Sequence, residues 1–517
     1  MPCTSACASR RGAADMSAAA GNTLQARRLG IDRLDEAVAY VRADCPVCRS
    51  EGIGGHSRVT LNAGGRAIIA SLARVTEPWL RPDTIGLSEA AWTRLGLEVP
   101  CPVSISHVPP LASLGLVRQR IFDQSLDEAD MRAIVSDISA GRYSDIQLTA
   151  FVAAVAARPF TIAETVAMTR AMIETGQRLS WDDEAIFDKH CVGGLPGNRT
   201  TPIIVAIVAA HGLKIPKTSS RAITSPAGTA DTMEVLTDVS LDLAGMRQVV
   251  ERQGGCLVWG NSVAFCPADH AIIRIERVLN FDSPSSMIAS VLSKKVAAGA
   301  THIVIDIPVG PTAKVRTRTQ AKALSDQLHA VAAAFELTIK VMMTDGRQPI
   351  GRGIGPALDA RDFLAVLSRA PTAPPELARK ACQLAGALLE LAGKTVPGQG
   401  AALARRTLIS GEALARFVAI CRAQGGALRT VPQAPHQRPV LARTSGRVRS
   451  IDNRRLARAA KLAGAPDDKA AGLDLHVRLA DTVRTGDTLY TLHTDSLGEL
   501  AYVLDYLDAN PDIVDVG

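Results

Sequence analysis

The chain has 517 residues, of which 47% are hydrophobic and 3% aromatic, and its formal net charge is +7. This hydrophobic content is sufficient for large cores and excludes a mainly disordered chain, and the length suggests roughly three domains of about 100–200 residues each. The scarcity of aromatic side chains argues against a surface on which nucleic-acid bases stack. The net charge is too diffuse to indicate nucleic-acid binding, although it favours anionic small molecules mildly.

The N-terminal segment, residues 1–22, is rich in Ala, Ser and Gly and is expected to be a disordered leader. Arg10 and Arg11 are not followed by the apolar segment of a signal peptide. The sequence also lacks an apolar run of about 18 residues, the length that a membrane-spanning helix needs. We therefore expect a cytoplasmic protein with no membrane partner and no nucleic-acid partner.

Cys45 and Cys48 form a single C-x-x-C motif in the first predicted domain. No second cysteine pair follows at the spacing of a zinc site. The ten cysteines of the chain are too few for a disulfide framework. Free thiols in a reducing compartment are therefore favoured over a metal or redox site at this motif.

The fold class predicted from the sequence is a multidomain α/β protein. Alternating apolar runs at residues 57–62 and 67–70 predict a small β-rich N-terminal domain over residues 23–108. A helical bundle domain is expected over residues 109–186. Its capping boxes are predicted at Ser125 with Glu128 and at Thr161 with Glu164. Its helices are expected at residues 131–140, 143–157 and 166–173, with Gly141 and Gly176 as helix ends.

A central α/β domain with a mostly parallel sheet is predicted over residues 187–435. Strands at residues 301–307 and 337–343 flank a helix at residues 314–335, which is the pattern of a βαβ unit. A proline-rich break at residues 432–439 then separates a small C-terminal α+β domain, residues 440–517. Its apolar runs lie at residues 446–451 and 488–493.

Residues 189–198 form a glycine-rich loop before a predicted helix. Gly193, Gly194 and Gly197 allow backbone N–H groups to turn toward an anion. Thr201 is predicted as the N-cap of the following helix, with Pro202 at its first position. A glycine-rich turn that enters a helix N-terminus binds anions through its N–H groups and the helix dipole. Lys189 and Thr200 add a positive charge and a hydroxyl. A purely structural turn is the alternative.

A second loop, residues 218–229, precedes a helix predicted to begin at Ala230. Around Arg221 it places hydroxyl-bearing side chains, namely those of Ser219, Ser220, Thr224, Ser225 and Thr229. Surface turns rich in Ser and Thr would explain one such loop. Two loops of this kind within one short stretch favour a site for a tetrahedral oxyanion such as phosphate.

Three further features bear on function. His190 could act as a general acid or could orient the loop, and a single histidine is more often structural. Ser290 and Lys294 are four residues apart, so a helix presents both on one face, where they suit a heterocyclic base; a solvated lysine is the alternative. The glycines of residues 351–355 do not directly follow a strand and are interpreted as a tight backbone crossing instead of a nucleotide loop.

Residues 189–194, residues 219–229 and the Ser290-x-x-x-Lys294-Lys295 pattern resemble the thymidine/pyrimidine-nucleoside phosphorylase family from about residue 115 onward. Residues 220–229 and the extra N-terminal domain are most similar to its AMP phosphorylase branch. The resemblance implies a pentosyltransferase that catalyses reversible phosphorolysis, in which phosphate displaces a base from C1′ of a pentose. It also implies phosphate as co-substrate, no cofactor or metal, and a homo-oligomer.

The resemblance assigns roles to individual residues. Lys189, Thr200, Ser219 and Thr229 would hold phosphate, Ser290 and Lys294 would face the base with Arg221 nearby, and His190 and Asp282 are the candidate catalytic residues, with Asp282 as proton donor. In the AMP-type pattern the nucleotide site is lined by Gly194, Ser220, Arg221, Ala222, Ile223, Thr224, Ser225, Thr229, Ser290 and Lys314. The sequence departs from thymidine enzymes at Cys191, where those enzymes have Ser.

Several functions remain open at this point. A thymidine or pyrimidine-nucleoside phosphorylase would release base and (deoxy)ribose 1-phosphate. An AMP-type enzyme would convert a nucleoside 5′-monophosphate to ribose 1,5-bisphosphate. More remote alternatives are a non-catalytic nucleotide sensor and an anthranilate-type phosphoribosyltransferase, which would need acidic Mg²⁺ ligands such as Asp231 and Glu234 beside the loops.

Overall fold

The computed structural model describes residues 22–33, 35–54, 58–182, 185–222, 225–279, 281 and 283–517. Nearly all of the predicted leader therefore lies outside the described residues. The chain divides into two compact units. The first comprises the residues up to Ser125 together with Ser136–Ala154, and the second comprises Leu126–Val135 with Val155–Gly517. Within the described ranges, no helix combines the length and apolar character that a membrane crossing requires.

The first unit contains the predicted β-rich domain. Its elements are β1 (Thr23–Arg28), β2 (Val38–Arg42), α1 (Pro46–Ser50), β3 (Arg58–Ala63), β4 (Arg66–Val75), β5 (Thr84–Leu87), α2 (Glu89–Leu95) and β6 (Pro102–His107). The strands close into a barrel in the order β1-β5-β2-β4-β3-β6. Alternate residues such as Val59, Leu61 and Ile105 are buried inside it, as expected for a closed sheet. This confirms the predicted β-rich domain.

Cys45 and Cys48 lie at the first turn of α1, and both are free and buried among the apolar side chains of the barrel. A hydrogen bond from the Cys48 thiol lowers the pKa of Cys45 to about 6, and the same contact raises the pKa of Cys48. The prediction of free thiols agrees with this arrangement.

Four helices follow: α3 (Ser113–Ile121), α4 (Glu128–Ser139), α5 (Asp145–Ala157) and α6 (Ile162–Glu174). The capping box at Thr161 is confirmed, because Glu164 N–H donates to Thr161 Oγ1 at 3.2 Å and Thr161 N–H donates to Glu164 Oε2 at 2.9 Å. The box predicted at Ser125 is wrong. Asp127 caps α4 instead. It directly precedes the first helical residue, and its Oδ1 accepts the N–H of Asp130 at 2.8 Å.

The second unit contains the parallel sheet and the helices that cover it. Its elements are β7 (Phe187–Cys191), α7 (Thr200–Ala210), β8 (Ile215–Ser219), α8 (Thr229–Glu234), α9 (Leu243–Gln253), β9 (Gly255–Trp259), a 3₁₀ helix (Gly260–Val263), α10 (Pro267–Leu279), α11 (Pro284–Ala297), β10 (His302–Val309), α12 (Arg318–Ala333) and β11 (Thr338–Asp345). Further helices complete the layer: α13 (Pro356–Ser368), α14 (Pro375–Leu391), α15 (Gly400–Ser410) and α16 (Glu412–Gly425).

The strands are all parallel and lie in the order β11-β10-β7-β8-β9, with the bridge between Ile186 and Lys214 joining β7 to β8. This confirms the predicted βαβ unit. Its helix begins at Arg318 and not at residue 314, because Thr317 caps it through a bond from Gln320 N–H at 3.2 Å. Helix α7 is apolar from Pro202 onward and buried at almost every residue, so it forms the centre of the core.

A C-terminal module follows from residue 436. It comprises β13 (His436–Leu441), β14 (Gly446–Ile451), α17 (Asn453–Leu462), β15 (Gly472–Leu475), β16 (Thr482–Val483), β17 (Thr488–Thr494), α18 (Leu497–Ala509) and β18 (Val514–Val516). The proline-rich stretch predicted as a break is partly wrong, because β13 occupies its second half. Pro439 is tolerated there because β13 is an edge strand.

Residues 351–355 form the expected tight crossing between the α/β layer and the C-terminal module. Within them, Gly353–Ile354 form the short strand β12, which pairs with β15. A Cβ atom on Gly353 would lie 2.3 Å from the carbonyl oxygen of Leu358, and one on Gly355 would lie 2.2 Å from that of Ala471. Only glycine allows the backbones to approach this closely.

We expect Phe417→Ala to destabilise the second unit strongly. Phe417 is fully buried and meets Phe363 edge-on at 5.4 Å between ring centroids. Removing a buried aromatic ring costs about 3–5 kcal/mol, so the urea midpoint followed by circular dichroism should fall. Phe122, which is 72% exposed, supplies the control. Its replacement by Ala should change stability by less than about 0.5 kcal/mol, and equal effects of the two substitutions would contradict the assignment of the core.

Candidate active site

Two loops leave the carboxyl ends of neighbouring parallel strands. The glycine loop (residues 192–199) connects β7 to α7, and the serine loop (residues 220–228) connects β8 to α8. Ligands of open α/β sheets bind at this edge, outside the carboxyl ends of the strands. Gly193 and Gly194 have φ angles of +53° and +83°, a backbone conformation that residues with a side chain rarely adopt.

Lys189 is buried in the middle of β7 and points to the first turn of α7. Its Nζ donates to Thr200 Oγ1 at 3.1 Å and lies 3.4 Å from Thr201 Oγ1. Burial lowers the pKa of Lys189. Helix α7 begins at Thr200, so the prediction that Thr201 is the N-cap is wrong. The position before the helix belongs to Arg199, and the Thr200 hydroxyl contacts Lys189 and Asn198 instead of capping.

Ser219 ends β8 beside the serine loop. Its Oγ is shielded from solvent and has no hydrogen-bond partner among the residues that the structure describes. Thr229 is the first residue of α8, one position earlier than predicted. The Asp231 carboxylate accepts the N–H groups of Ala222 at 2.6 Å and Gly228 at 2.7 Å, and thereby closes the loop onto the helix.

Cys191 lies at the end of β7, where its Sγ accepts a bond from Asn198 Nδ2 at 3.3 Å. Burial, followed by the charge of Asp306, raises the pKa of Cys191 to about 11. The thiol is therefore neutral at physiological pH and brings no negative charge into the site.

Arg199 connects the two loops, a role that no local sequence pattern indicates. Its guanidinium donates to Thr232 Oγ1 at 3.1 Å and to the carbonyl oxygen of Ala227 in the serine loop. Its Nε also lies 2.9 Å from Asp359 Oδ2 on α13. Burial raises the pKa of Asp359 to about 7, although the nearby charge of Arg199 opposes this shift.

Two buried carboxylates hold lysines below the loops. Asp188 contacts Lys217 Nζ at 3.2 Å and Lys295 Nζ at 2.6 Å. Asp306 contacts Lys380 Nζ at 2.8 Å. Of these residues, only Lys295 belonged to a sequence pattern described above, and no pattern indicated its pairing with Asp188. A usable signal was present, since strands buried on both faces are normally apolar and a charged residue inside one needs a partner.

His190 is half-buried on β7 among lysines. Burial, followed by the charges of Lys295, Lys217, Lys294 and Lys189, lowers the pKa of His190 well below 6.5. The imidazole is therefore neutral at physiological pH in the absence of an added anion.

Ser290 and Lys294 share one face of α11, as predicted. Lys294 Nζ donates to Ser290 Oγ at 3.0 Å and to Asp269 Oδ2 at 2.7 Å. The lysine is thus held in place, in contrast to the alternative of a solvated side chain. The charge of Lys294 is also one of those that lower the pKa of His190 on β7.

Arg221 is held by acidic partners in the serine loop region. Its guanidinium contacts both oxygens of Glu234 at 2.6 and 2.7 Å and Asp231 at 3.3 Å, and it stacks over the Trp259 ring at 4.8 Å. The bond from Arg221 lowers the pKa of Glu234 to about 2. Asp231 and Glu234, the candidate Mg²⁺ ligands of a phosphoribosyltransferase, are therefore both engaged with groups of the chain itself.

Lys314, Ser220 and Ser225 were also predicted as site residues. Lys314 is exposed in the loop after β10, and its Cβ lies 3.7 Å from the point where a Cβ on Gly194 would stand. Ser220 is exposed, and Ser225 Oγ donates to the carbonyl oxygen of Ala227 at 2.8 Å. Three predicted site residues lie outside the described residues, namely Ile223, Thr224 and Asp282.

Three segments of the chain match known domain families. Residues 115–176 match the glycosyl transferase family helical bundle domain, residues 183–414 match the α/β domain of that family, and residues 447–513 match the pyrimidine nucleoside phosphorylase C-terminal domain. The matched domains define a glycosyltransferase-type enzyme, with the two loops at the edge of its α/β domain.

The chain is 56% identical to a protein of Sphingopyxis alaskensis named "Putative thymidine phosphorylase", with 96% of each chain covered. It is 54% identical to "Putative thymidine phosphorylase 2" of an Acidovorax species, covering 96% of this chain and 97% of that protein. The chain therefore belongs to this glycosyl transferase family. The solved structure of anthranilate phosphoribosyltransferase from Thermus thermophilus shares its fold, with a TM-score of 0.50 and 21% identity over 60% of this chain and 98% of that one.

We expect His190 to make the stability of the enzyme depend on pH. Its ordinary pKa of 6.5 applies to the unfolded chain, whereas the folded pKa is much lower. Below pH 6.5 the unfolded state takes up a proton that the folded state does not, so stability is lost as the pH falls. As the pH falls below 6.5, the unfolding free energy of His190→Asn should decrease less steeply than that of the wild type. The two slopes should differ by up to about 1.4 kcal/mol per pH unit. Above pH 6.5 the two curves of unfolding free energy against pH should be parallel. Identical slopes below pH 6.5 would contradict the lowered pKa of His190.

Proposed function

We propose that this enzyme catalyses reversible phosphorolysis of a pyrimidine nucleoside such as thymidine. Phosphate would attack C1′ and release the base and (deoxy)ribose 1-phosphate, with inorganic phosphate as co-substrate and no metal or organic cofactor. The names of the relatives and the match to the pyrimidine nucleoside phosphorylase C-terminal domain support this proposal. The structural observation that carries it is the buried Ser219 Oγ at the edge where the two loops leave the sheet, an atom with no hydrogen-bond partner in the described part of the chain.

The loops supply groups that suit a phosphate dianion. Lys189 offers a positive charge, Thr200 lies at the N-terminus of α7, and the glycine loop offers backbone N–H groups. Because buried donors cost free energy when they are unpaired, a bound anion would satisfy Ser219 and offset the charge of Lys189. We therefore assign Lys189, Thr200, Ser219 and Thr229 to the phosphate.

The proposed reaction uses the phosphate both as nucleophile and as a stabilising charge. Departure of the base leaves an oxocarbenium-like sugar, and a phosphate held beside C1′ stabilises this positive charge. Positioning the two reactants in one site removes much of the entropic barrier. A proton donor assists the leaving base, a role we assign to Asp282. Since phosphate opposes the field of the surrounding lysines, it would also raise the pKa of His190, which makes His190 the second candidate.

The structure favours a nucleoside over a nucleoside 5′-monophosphate. Arg221 is the cation of the serine loop, and its charge is already neutralised by Glu234 and Asp231. Lys294 and Ser290 keep donors beside the site that suit a pyrimidine carbonyl. Lys314 is exposed near Gly194 and is the cation that an AMP-type enzyme would direct to a nucleotide. The AMP-type reaction is the second candidate on this ground.

A panel of substrates tests the proposal. The full chain is incubated with phosphate and with thymidine, uridine, cytidine, AMP, CMP or UMP, and the free base is quantified by chromatography. We expect phosphate-dependent base release from thymidine or uridine, and none when phosphate is omitted. Release from AMP or CMP alone would establish the second candidate. A folded protein that is inert on all six substrates would disprove phosphorolysis.

We expect Ser219→Ala to raise the KM for phosphate. The substitution removes a donor to a charged ligand, a bond worth about 1.5–3 kcal/mol, and this corresponds to roughly a tenfold or larger increase. The KM for the nucleoside should change much less. Ser410→Ala is the control, because the hydrogen bonds of Ser410 Oγ are local: it donates to the carbonyl oxygen of Thr407 at 3.2 Å and accepts the N–H of Glu412 at 3.4 Å. Unchanged phosphate kinetics in Ser219→Ala would remove Ser219 from the site.

A further inference from the structure

Arg478 extends from the C-terminal module to the backbone behind the glycine loop. It lies in the connection between β15 and β16 and is largely buried. Its Nη1 donates to the carbonyl oxygen of Pro349 at 2.6 Å, and its Nη2 lies 3.1 Å from the carbonyl oxygens of Ile350 and Gly351. One guanidinium thus binds three successive carbonyl groups of the α/β layer.

Those carbonyl groups belong to a segment that is bonded directly to the glycine loop. The N–H of Gly351 donates to the carbonyl oxygen of Gly197 at 3.0 Å, and that of Ile350 donates to Pro196 at 3.3 Å. A Cβ on Gly197 would lie only 3.0 Å from Gly351 N, so the two backbones are in close contact. Any shift of the segment is therefore transmitted to the loop.

The serine loop receives a second support from the same module. Lys469 Nζ lies 2.9 Å from Glu234 Oε2, and Glu234 holds Arg221 of the serine loop at 2.6 Å. The carbonyl oxygen of Lys469 also accepts the N–H of Ala357 at 3.0 Å, at the start of α13. Lys469 is thereby anchored at both its side chain and its backbone.

We propose that the C-terminal module fixes the geometry of both phosphate loops, with Arg478 and Lys469 as positioning residues for phosphate. The inference rests on the proposed function, because it treats the loops as the phosphate site. Backbone N–H groups bind an oxyanion well only if they are held in place before it arrives, since ordering them on binding reduces affinity. Charge-assisted bonds from a guanidinium or an ammonium group are strong enough to hold them.

The test compares Arg478→Met and Lys469→Met with Arg361→Met in the full chain. Arg361 is the matched control, because its Nη2 bonds Asp474 Oδ2 of β15 at 2.7 Å and so also connects α13 to the C-terminal module, but without contacting either loop. We expect Arg478→Met to raise the phosphate KM about tenfold, because a small displacement of the groups that bind phosphate has an effect of this size. We expect Lys469→Met to raise the phosphate KM severalfold. Arg478→Lys, which keeps the charge but loses the planar fork, should lie between wild type and Arg478→Met.

The readout separates positioning from stability. A positioning role changes the phosphate KM and leaves the nucleoside KM close to wild type, whereas a purely structural role lowers the melting temperature without this split. Equal phosphate KM values in Arg478→Met and Arg361→Met would overturn the inference. So would wild-type values in both Arg478→Met and Lys469→Met.

Calorimetric titration with inorganic phosphate keeps this inference distinct from the proposed reaction. If the wild type binds phosphate but releases no base, the proposed reaction fails. Weaker phosphate binding by Arg478→Met and Lys469→Met, with binding by Arg361→Met unchanged, still supports the positioning role. Absence of phosphate binding by the wild type overturns it.

Discussion

The burial of Lys189 at the centre of a parallel sheet is the constraint on which the rest of the site depends. Desolvating an ammonium group is costly, and the hydroxyl groups of Thr200 and Thr201 stabilise its charge only in part. Asp306 adds a compensating charge from the neighbouring strand β10 and is itself held by Lys380. The site is therefore rich in positive charge before any ligand arrives. Such an arrangement costs folding free energy and favours a bound anion.

The second requirement is that the two loops stay together, and long-range contacts meet it. Arg199 joins the glycine loop to the serine loop and to α13 through the buried Asp359. The crossing at Gly353 brings the C-terminal module against the same region. Val192 and Leu195 anchor the glycine loop in the apolar core, and the polar contacts of Arg199 link this loop to the serine loop. This explains why charged side chains far from the loops in sequence can matter to anion binding.

The sequence predicted the local part of this structure well and the long-range part poorly. The Thr161 capping box, the βαβ unit around α12 and the pairing of Ser290 with Lys294 depend on residues close in sequence, and the structure confirms all three. Contacts such as those of Arg199 with Asp359 depend on the packing of distant helices, which no local pattern encodes. The predictions of Ser125 and Thr201 as helix N-caps were also wrong. Both residue types are favourable at an N-cap, but contacts with other residues determine where these two helices begin.

The charges around the site distinguish a nucleoside from a nucleoside 5′-monophosphate better than the sequence motifs do. Before the glycine loop, Lys189 and Cys191 lie on β7, and the Cys191 thiol remains neutral and adds no negative charge beside Lys189. The serine loop has the opposite balance, because Arg221 is surrounded by Glu234 and Asp231 and its charge is already compensated. A second phosphate on the substrate would have to compete with two carboxylates for this guanidinium. One anion held by the glycine loop, beside a substrate without its own phosphate, is the combination that these charges favour.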